Sequence, residues 1–200
     1  MPFDKYVAAT HREVGNMAGK RDDRRVEFTK KLLFDAMIEL LAEKPIQKIT
    51  VKELCERADI NRGTFYAHFS DTYELLAQVE EASVKELVGY VRALCAAESD
   101  EALRRELIAL FTHIYSTRRF WTALLGPNGH VNYYDSLFRA TYEDFAARRR
   151  SGSGEVKLRL LYTQLMVGCV GMTMRWLNDE PEEPVETLAE VMFALIRASV

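Results

Sequence analysis

Seven consecutive residues, Arg62-Gly63-Thr64-Phe65-Tyr66-Ala67-His68, place a guanidinium, a hydroxyl, a phenol and an imidazole on barely two helical turns. These are hydrogen-bonding groups of the kind that read nucleic acid. Arg62 can reach a guanine edge or a phosphate, Thr64 can meet a thymine methyl or a phosphate, and Gly63 lets the backbone come close. Phe65 and Phe69 belong to a core beneath. A helix this short is not stable alone, so other elements must hold it.

Those elements are written just upstream. Thr50 stands three residues before Glu53, a capping box in which the hydroxyl accepts from the Glu53 N–H and the carboxylate reaches back. Val51, Leu54, Cys55 and Ala58 give the next short helix one apolar face, with Ala58 small where a second helix approaches. Asp59-Ile60-Asn61 breaks the pattern, because Asp and Asn suit turns and caps. Thr50 sits at a helix N-terminus whose dipole favours anions, so it is a candidate phosphate ligand, with Lys48 and Lys52 as neighbours. Two short helices and a tight turn form the layout of a helix-turn-helix, whose second helix enters the DNA major groove. The alternative is that Thr50 and Asn61 only cap and Tyr66 only packs.

The run ITVKELCERADINRGTFYAHFSDTYELL resembles the DNA-binding domain of the TetR family of bacterial transcription regulators, and RRVEFTKKLLFDAMIELLAEKP resembles that family's first helix. FTHIYSTRRFWTALLGPNG and VGMTMRWLNDEPEEPVETLAEVMFALI resemble the C-terminal domain of a Firmicutes-type branch of these regulators. The resemblance implies that Tyr66 and His68 hydrogen-bond to phosphate. It implies a homodimer built through the last two helices, a palindromic operator, and a ligand-responsive repressor relieved by a small-molecule inducer. One departure stands out. The family commonly places a lysine near the start of helix 4, and here that position is Thr72, beside Asp71. A hydroxyl can still bond phosphate, but one attractive charge is lost and the salt dependence becomes shallower. Arg24 and Arg25 are the candidates to compensate; with Lys20 and Arg21 they can alternatively act as an arm entering a minor groove.

The whole chain fits an all-α fold. It has 200 residues, 48% of them hydrophobic, with ten glycines and five prolines, and no β-type alternation persists. The pattern predicts about nine helices: residues 24–43, the two short ones above, 72–96, 100–116, 120–125, 132–149, 156–178 and 184–198. Residues 1–22 read as a tail, 23–71 as the helix-turn-helix domain and 72–200 as a helical ligand-binding and dimerisation domain. Gly126-Pro127-Asn128-Gly129 marks a turn and Ser151-Gly152-Ser153-Gly154 a linker. The last two helices carry YTQLMVGCVGMTMRWL, apolar nearly all round, and a stripe of Leu188, Val191, Met192, Leu195 and Ile196. A helix without a polar face must be covered on both sides, here by its own domain and a partner subunit.

Net charge is −3, yet only the docking face meets phosphate. From Lys20 to Ser70 there are eleven Lys/Arg against nine Asp/Glu, so the head is only slightly basic, while acid gathers at residues 179–183. Three scattered cysteines fit reduced thiols of a cytoplasmic protein. Neither a signal peptide nor an apolar run of membrane-spanning length is expected.

In the family, the space between the C-terminal helices is the inducer pocket. By that resemblance Phe111, His113, Tyr115, Trp121, Phe138, Tyr142, Tyr162, Met166 and Cys169 are its candidate walls, with His113, Tyr142, Gln164 and Arg175 as polar handles. Plain core packing is the competing reading. No cofactor or metal is expected: the four histidines are far apart, and no C-x-x-C, G-x-S-x-G or phosphate-loop pattern occurs. An enzyme is therefore not expected. A DNA-binding scaffold that answers to no ligand, or an activator of the same fold, remains the alternative to a repressor.

Overall fold

In a computed structural model, residues 19–128, 133–147, 154–179 and 182–198 are described. Among them there are nine α-helices and no strand: α1 Gly19–Glu43, α2 Val51–Ala58, α3 Arg62–Tyr66, α4 Thr72–Ala96, α5 Asp100–Ser116, α6 Arg118–Leu124, α7 Tyr133–Ala147, α8 Glu155–Asp179 and α9 Val185–Ala198. A 3-10 turn, Ile46–Lys48, joins α1 to α2 after Pro45. The chain divides into two compact units. The first holds residues up to Ser83 plus Arg119–His130, and the second Val84–Arg118 plus Val131–Val200. Helix α4 thus contributes residues 72–83 to one and 84–96 to the other.

Helix starts follow the caps. Thr50 forms the full box on α2, Asn61 accepts from the Thr64 N–H on α3, and Ser99 accepts from the Ala102 N–H on α5. Asp71 accepts from the N–H groups of Tyr73 and Glu74 at 2.8 Å each, while Glu74 accepts from the Ser70 N–H at 2.7 Å, closing the start of α4. Helix α2 ends at Asp59, which adopts φ 52°. That left-handed turn suits a short polar side chain and turns the backbone toward α3. Helix α1 begins at Gly19, before the apolar pattern starts at Val26. Lys20 and Arg21 are thus helical, in place of the tail or arm expected over residues 20–22. The rest of the expected tail, Gly129, and residues 151–153 of the expected linker lie outside the described residues.

In the first unit, Leu33, Met37 and Leu41 of α1, Leu54 of α2, and Phe65 and Phe69 around α3 are essentially inaccessible. Arg57 of α2 ties to α1 through Glu39 at 3.1 Å and Glu43 at 3.0 Å. In the second unit α5 packs on α9: Arg104 pairs with Glu190 at 2.7 Å and lies 3.6 Å over the Phe193 ring, and Arg197 pairs with Asp100. Helix α7 packs on α8 through Phe145, Leu158 and Tyr162, with Phe138 and Tyr142 alongside. Buried Tyr162 donates its hydroxyl to Thr141, whose own hydroxyl donates to the Leu137 carbonyl at 2.6 Å. Thr141→Val strands the Tyr162 hydroxyl in the core. Urea unfolding is expected to show a loss of about 1–2 kcal/mol.

Candidate nucleic-acid interface and ligand cavity

The head presents α3 as sequence spacing implied. Arg62, Gly63 and Tyr66 are exposed, Tyr66 at 57%, whereas Phe65 is fully buried. The Phe65 ring meets Tyr66 edge-on at 5.4 Å and Phe69 at 5.8 Å, so the outward phenol is braced from below. Asn61 Oδ1 accepts from the Thr64 N–H at 2.8 Å and from the Thr64 hydroxyl at 3.1 Å. The cap therefore spends the Thr64 hydrogen and leaves its methyl and oxygen lone pairs for a ligand. A Cβ at Gly63 would sit 3.2 Å from Asn61 Oδ1, so glycine protects this cap as well as opening the surface.

At the start of α2, Thr50 caps. Its hydroxyl accepts from the Glu53 N–H at 3.3 Å and donates to Glu53 Oε2 at 2.7 Å, and the Thr50 N–H donates to the same oxygen at 3.0 Å. Lys44 also pairs with Glu53. Lys44, followed by the Thr50 hydroxyl and N–H, holds the Glu53 carboxyl down at about 2. Because the folded value lies below the ordinary 4.5, the box contributes fully above pH 4.5 and is lost as pH falls toward 2. Thr50→Val is expected to move the Glu53 titration upward, read by NMR of its side-chain carboxyl. With the Thr50 hydroxyl proton engaged, the start of α2 leaves open the N–H groups of its first turn, beside the exposed side chains of Lys48 and Lys52. Lys52 lies 3.7 Å from Glu56, a solvated pair that frees readily.

The remaining head candidates divide. Arg25 is exposed on α1 and His68 is half-buried, 6.4 Å from the Phe69 ring. Thr72 is 7% exposed, so its side chain offers little to a phosphate, and the exposed group at the start of α4 is Tyr73, at 51%. Sequence reading missed Tyr73. The signal was present: Thr72 shares a helical face with Leu75, Leu76 and Val79, all buried, and Tyr73 lies off that face.

The second unit holds a half-open cavity of about 140 Å³. Of the expected pocket residues it brings together Tyr162, Met166 and Cys169. Phe138 and Tyr142 stack on each other at 5.4 Å and pack against Tyr162 behind the wall. Phe111 is fully buried, and Tyr115 lies against Trp176 at 5.3 Å. His113 Nε2 faces Glu86 Oε1 at 3.3 Å and stacks on Tyr90. Trp121 belongs to the first unit, 4.9 Å from Phe120, so it is no part of this cavity. Gln164 and Arg175 are exposed, and Arg175 pairs with Asp179 at 3.3 Å. The walls that sequence reading missed are mostly aliphatic: Leu94, Leu103, Leu107, Leu110 and Met192, with Cys95. Burial pushes the Cys169 thiol up to about 11 and the Tyr162 hydroxyl up to about 12. Both stay neutral.

Residues 33–79 match the family described as bacterial regulatory proteins, tetR family, and residues 101–198 match a transcriptional regulator C-terminal region. The uncharacterized HTH-type transcriptional regulator YxbF of Bacillus subtilis (strain 168) is 26% identical over 179 residues, covering 85% of this chain and 45% of that protein. The chain thus spans less than half the length of this curated relative. The SmeT–triclosan complex aligns with TM-score 0.65 at 16% identity, over 86% of this chain and 90% of that one. The regulator FadR of Bacillus subtilis, in complex with stearoyl-CoA, aligns with TM-score 0.64 at 13% identity, over 85% and 98%. At such identities these two speak for the fold alone.

Fold and head together define the helix-turn-helix class of transcription regulators. The chain belongs to the tetR family of bacterial regulatory proteins.

Proposed function

We propose that the protein is a ligand-responsive repressor that binds a palindromic operator as a homodimer through its last two helices. The observation that carries the dimer is an apolar stripe left on the outside of α8 and α9. Val156 (70% exposed), Leu160 (65%) and Val167 (61%) recur at helical spacing on α8, and Val191 on α9 is 46% exposed. A second copy covering this stripe buries it by twofold symmetry, and two heads then read two half-sites. Arg25, Lys48, Lys52, Asn61, Arg62, Gly63, Thr64, Tyr66 and His68 meet DNA, with α2 offering its N-terminal amides beside Thr50. Thr72 contributes as a buried prop of α4 rather than as the phosphate grip.

Response to a ligand is supported by the cavity and by the small molecules bound by the neighbours SmeT and FadR. A ligand that prefers head separations that do not match the operator lowers DNA affinity by its differential affinity for the two states. Helix α4, shared by both units, is the transmitter. Among the described residues no helix is long and apolar enough to cross a membrane. A DNA target supports a cytoplasmic location.

Sedimentation equilibrium tests the dimer. Leu160→Glu with Val167→Glu places carboxylates in the proposed interface, and dissociation is expected to become easier by at least about tenfold, with the far-ultraviolet helix signal kept. A double variant as dimeric as the wild type, or a monomeric wild type, rejects this interface.

A further inference from the structure

The lining of the second unit's cavity carries no charge. Its polar atoms are the thiols of Cys95 and Cys169 and the hydroxyl of Tyr162, and that hydroxyl is already donated to Thr141 behind the wall. We propose that the occupant is a small, uncharged, apolar molecule with about the bulk of one substituted aromatic ring, held by Leu107, Leu110, Met166 and Cys169. The assignment rests on the ligand-responsive reading and gives that ligand its chemical class.

Size comes first. A cavity of about 140 Å³ is close to the dry engineered cavity of roughly 150 Å³ that accepts benzene. A long acyl chain exceeds it and would leave most of its length outside the half-open cavity. Charge comes second. A carboxylate or ammonium entering these walls leaves water with no counter-charge to meet it, a large cost. Ion pairs of this unit such as Arg92 with Asp144, Arg104 with Glu190 and Arg197 with Asp100 are matched on accessible side chains, and the buried His113–Glu86 pair is not part of the lining. Hydrogen bonding comes third. Thiols are weak donors and acceptors, so a ligand rich in hydroxyls gives up more to water than it regains. Sulfur from Met166, Met192, Cys95 and Cys169 is polarizable and suits an aromatic edge. A buried thiol that stays protonated is inert toward electrophiles, so Cys169 acts as a contact surface rather than a nucleophile.

The probe is toluene, with benzoate and benzylamine as charged molecules of similar shape. Binding to the full chain is measured by equilibrium dialysis and saturation-transfer NMR. The expected result is one saturable toluene site per chain, with both ions weaker by at least about tenfold. Leu107→Phe fills the cavity from α5 and is expected to abolish toluene binding. Should that variant fail to fold, Met166→Phe fills it from α8. No toluene binding, equal binding of benzoate, or toluene binding untouched by a folded filling variant overturns the proposal. Operator affinity measured on the same samples separates the two readings. Toluene bound with DNA affinity unchanged keeps the cavity assignment and rejects the ligand response.

Discussion

Phe65→Ala is expected to destabilise the head by about 3–5 kcal/mol, the largest effect of any single truncation around α3. Helix α3 is five residues long and cannot hold itself. The Phe65 ring is fully buried, supports Tyr66 from below and packs on Phe69, which in turn meets Phe34 of α1 at 6.4 Å. Removing it leaves a cavity at the junction that aims the recognition helix. The check is denaturant unfolding of the head, followed by hydrogen exchange at α2 and α3. Operator binding is expected to fail together with protection of those amides. Unchanged protection would mean that α3 is positioned by something other than this ring.

Arg62→Ala is expected to act oppositely: operator affinity falls by about 1–3 kcal/mol, roughly five- to 150-fold, with unfolding unaltered. Arg62 is exposed at the first position of α3. Titrations at two salt concentrations tell what it touches. If Arg62 reads a guanine, the loss falls on operator DNA and spares scrambled duplex. If it holds a phosphate, both duplexes weaken alike and the salt slope drops by about one.

The head was legible in the sequence because its instructions are local. Thr50 with Glu53 is a cap set within three residues and formed as read, and Asn61, read as a turn or cap residue, caps α3 through Thr64. Asp59 broke α2 where a short polar residue tolerates a left-handed turn. The start of α1 was missed for the opposite reason. Lys20 to Arg25 is polar all round, so it offers no stripe from which to infer a helix. Thr72 was chosen by the position of a lysine in relatives, whereas its placement is set by core packing: it is buried and Tyr73 faces out.

The cavity was the least legible part. Large aromatics draw the eye, yet Phe111 is sealed in the core and Trp121 belongs to the first unit. Nothing local in a sequence tells a leucine beside a void from one beside another leucine. Leu103, Leu107 and Leu110 follow the same helical spacing as any core stripe, and only the packing of α5 against its neighbours leaves space next to them.

The most direct test of the central claim is selection of genomic fragments by the full-length protein, followed by fluorescence anisotropy on the enriched duplex. Wild type is titrated at physiological salt against that duplex and a scrambled one of equal length. The account predicts enrichment of an inverted repeat, bound by two chains at least about a thousandfold more tightly than scrambled DNA. Weak binding to both duplexes alike, abolished by salt, would contradict it.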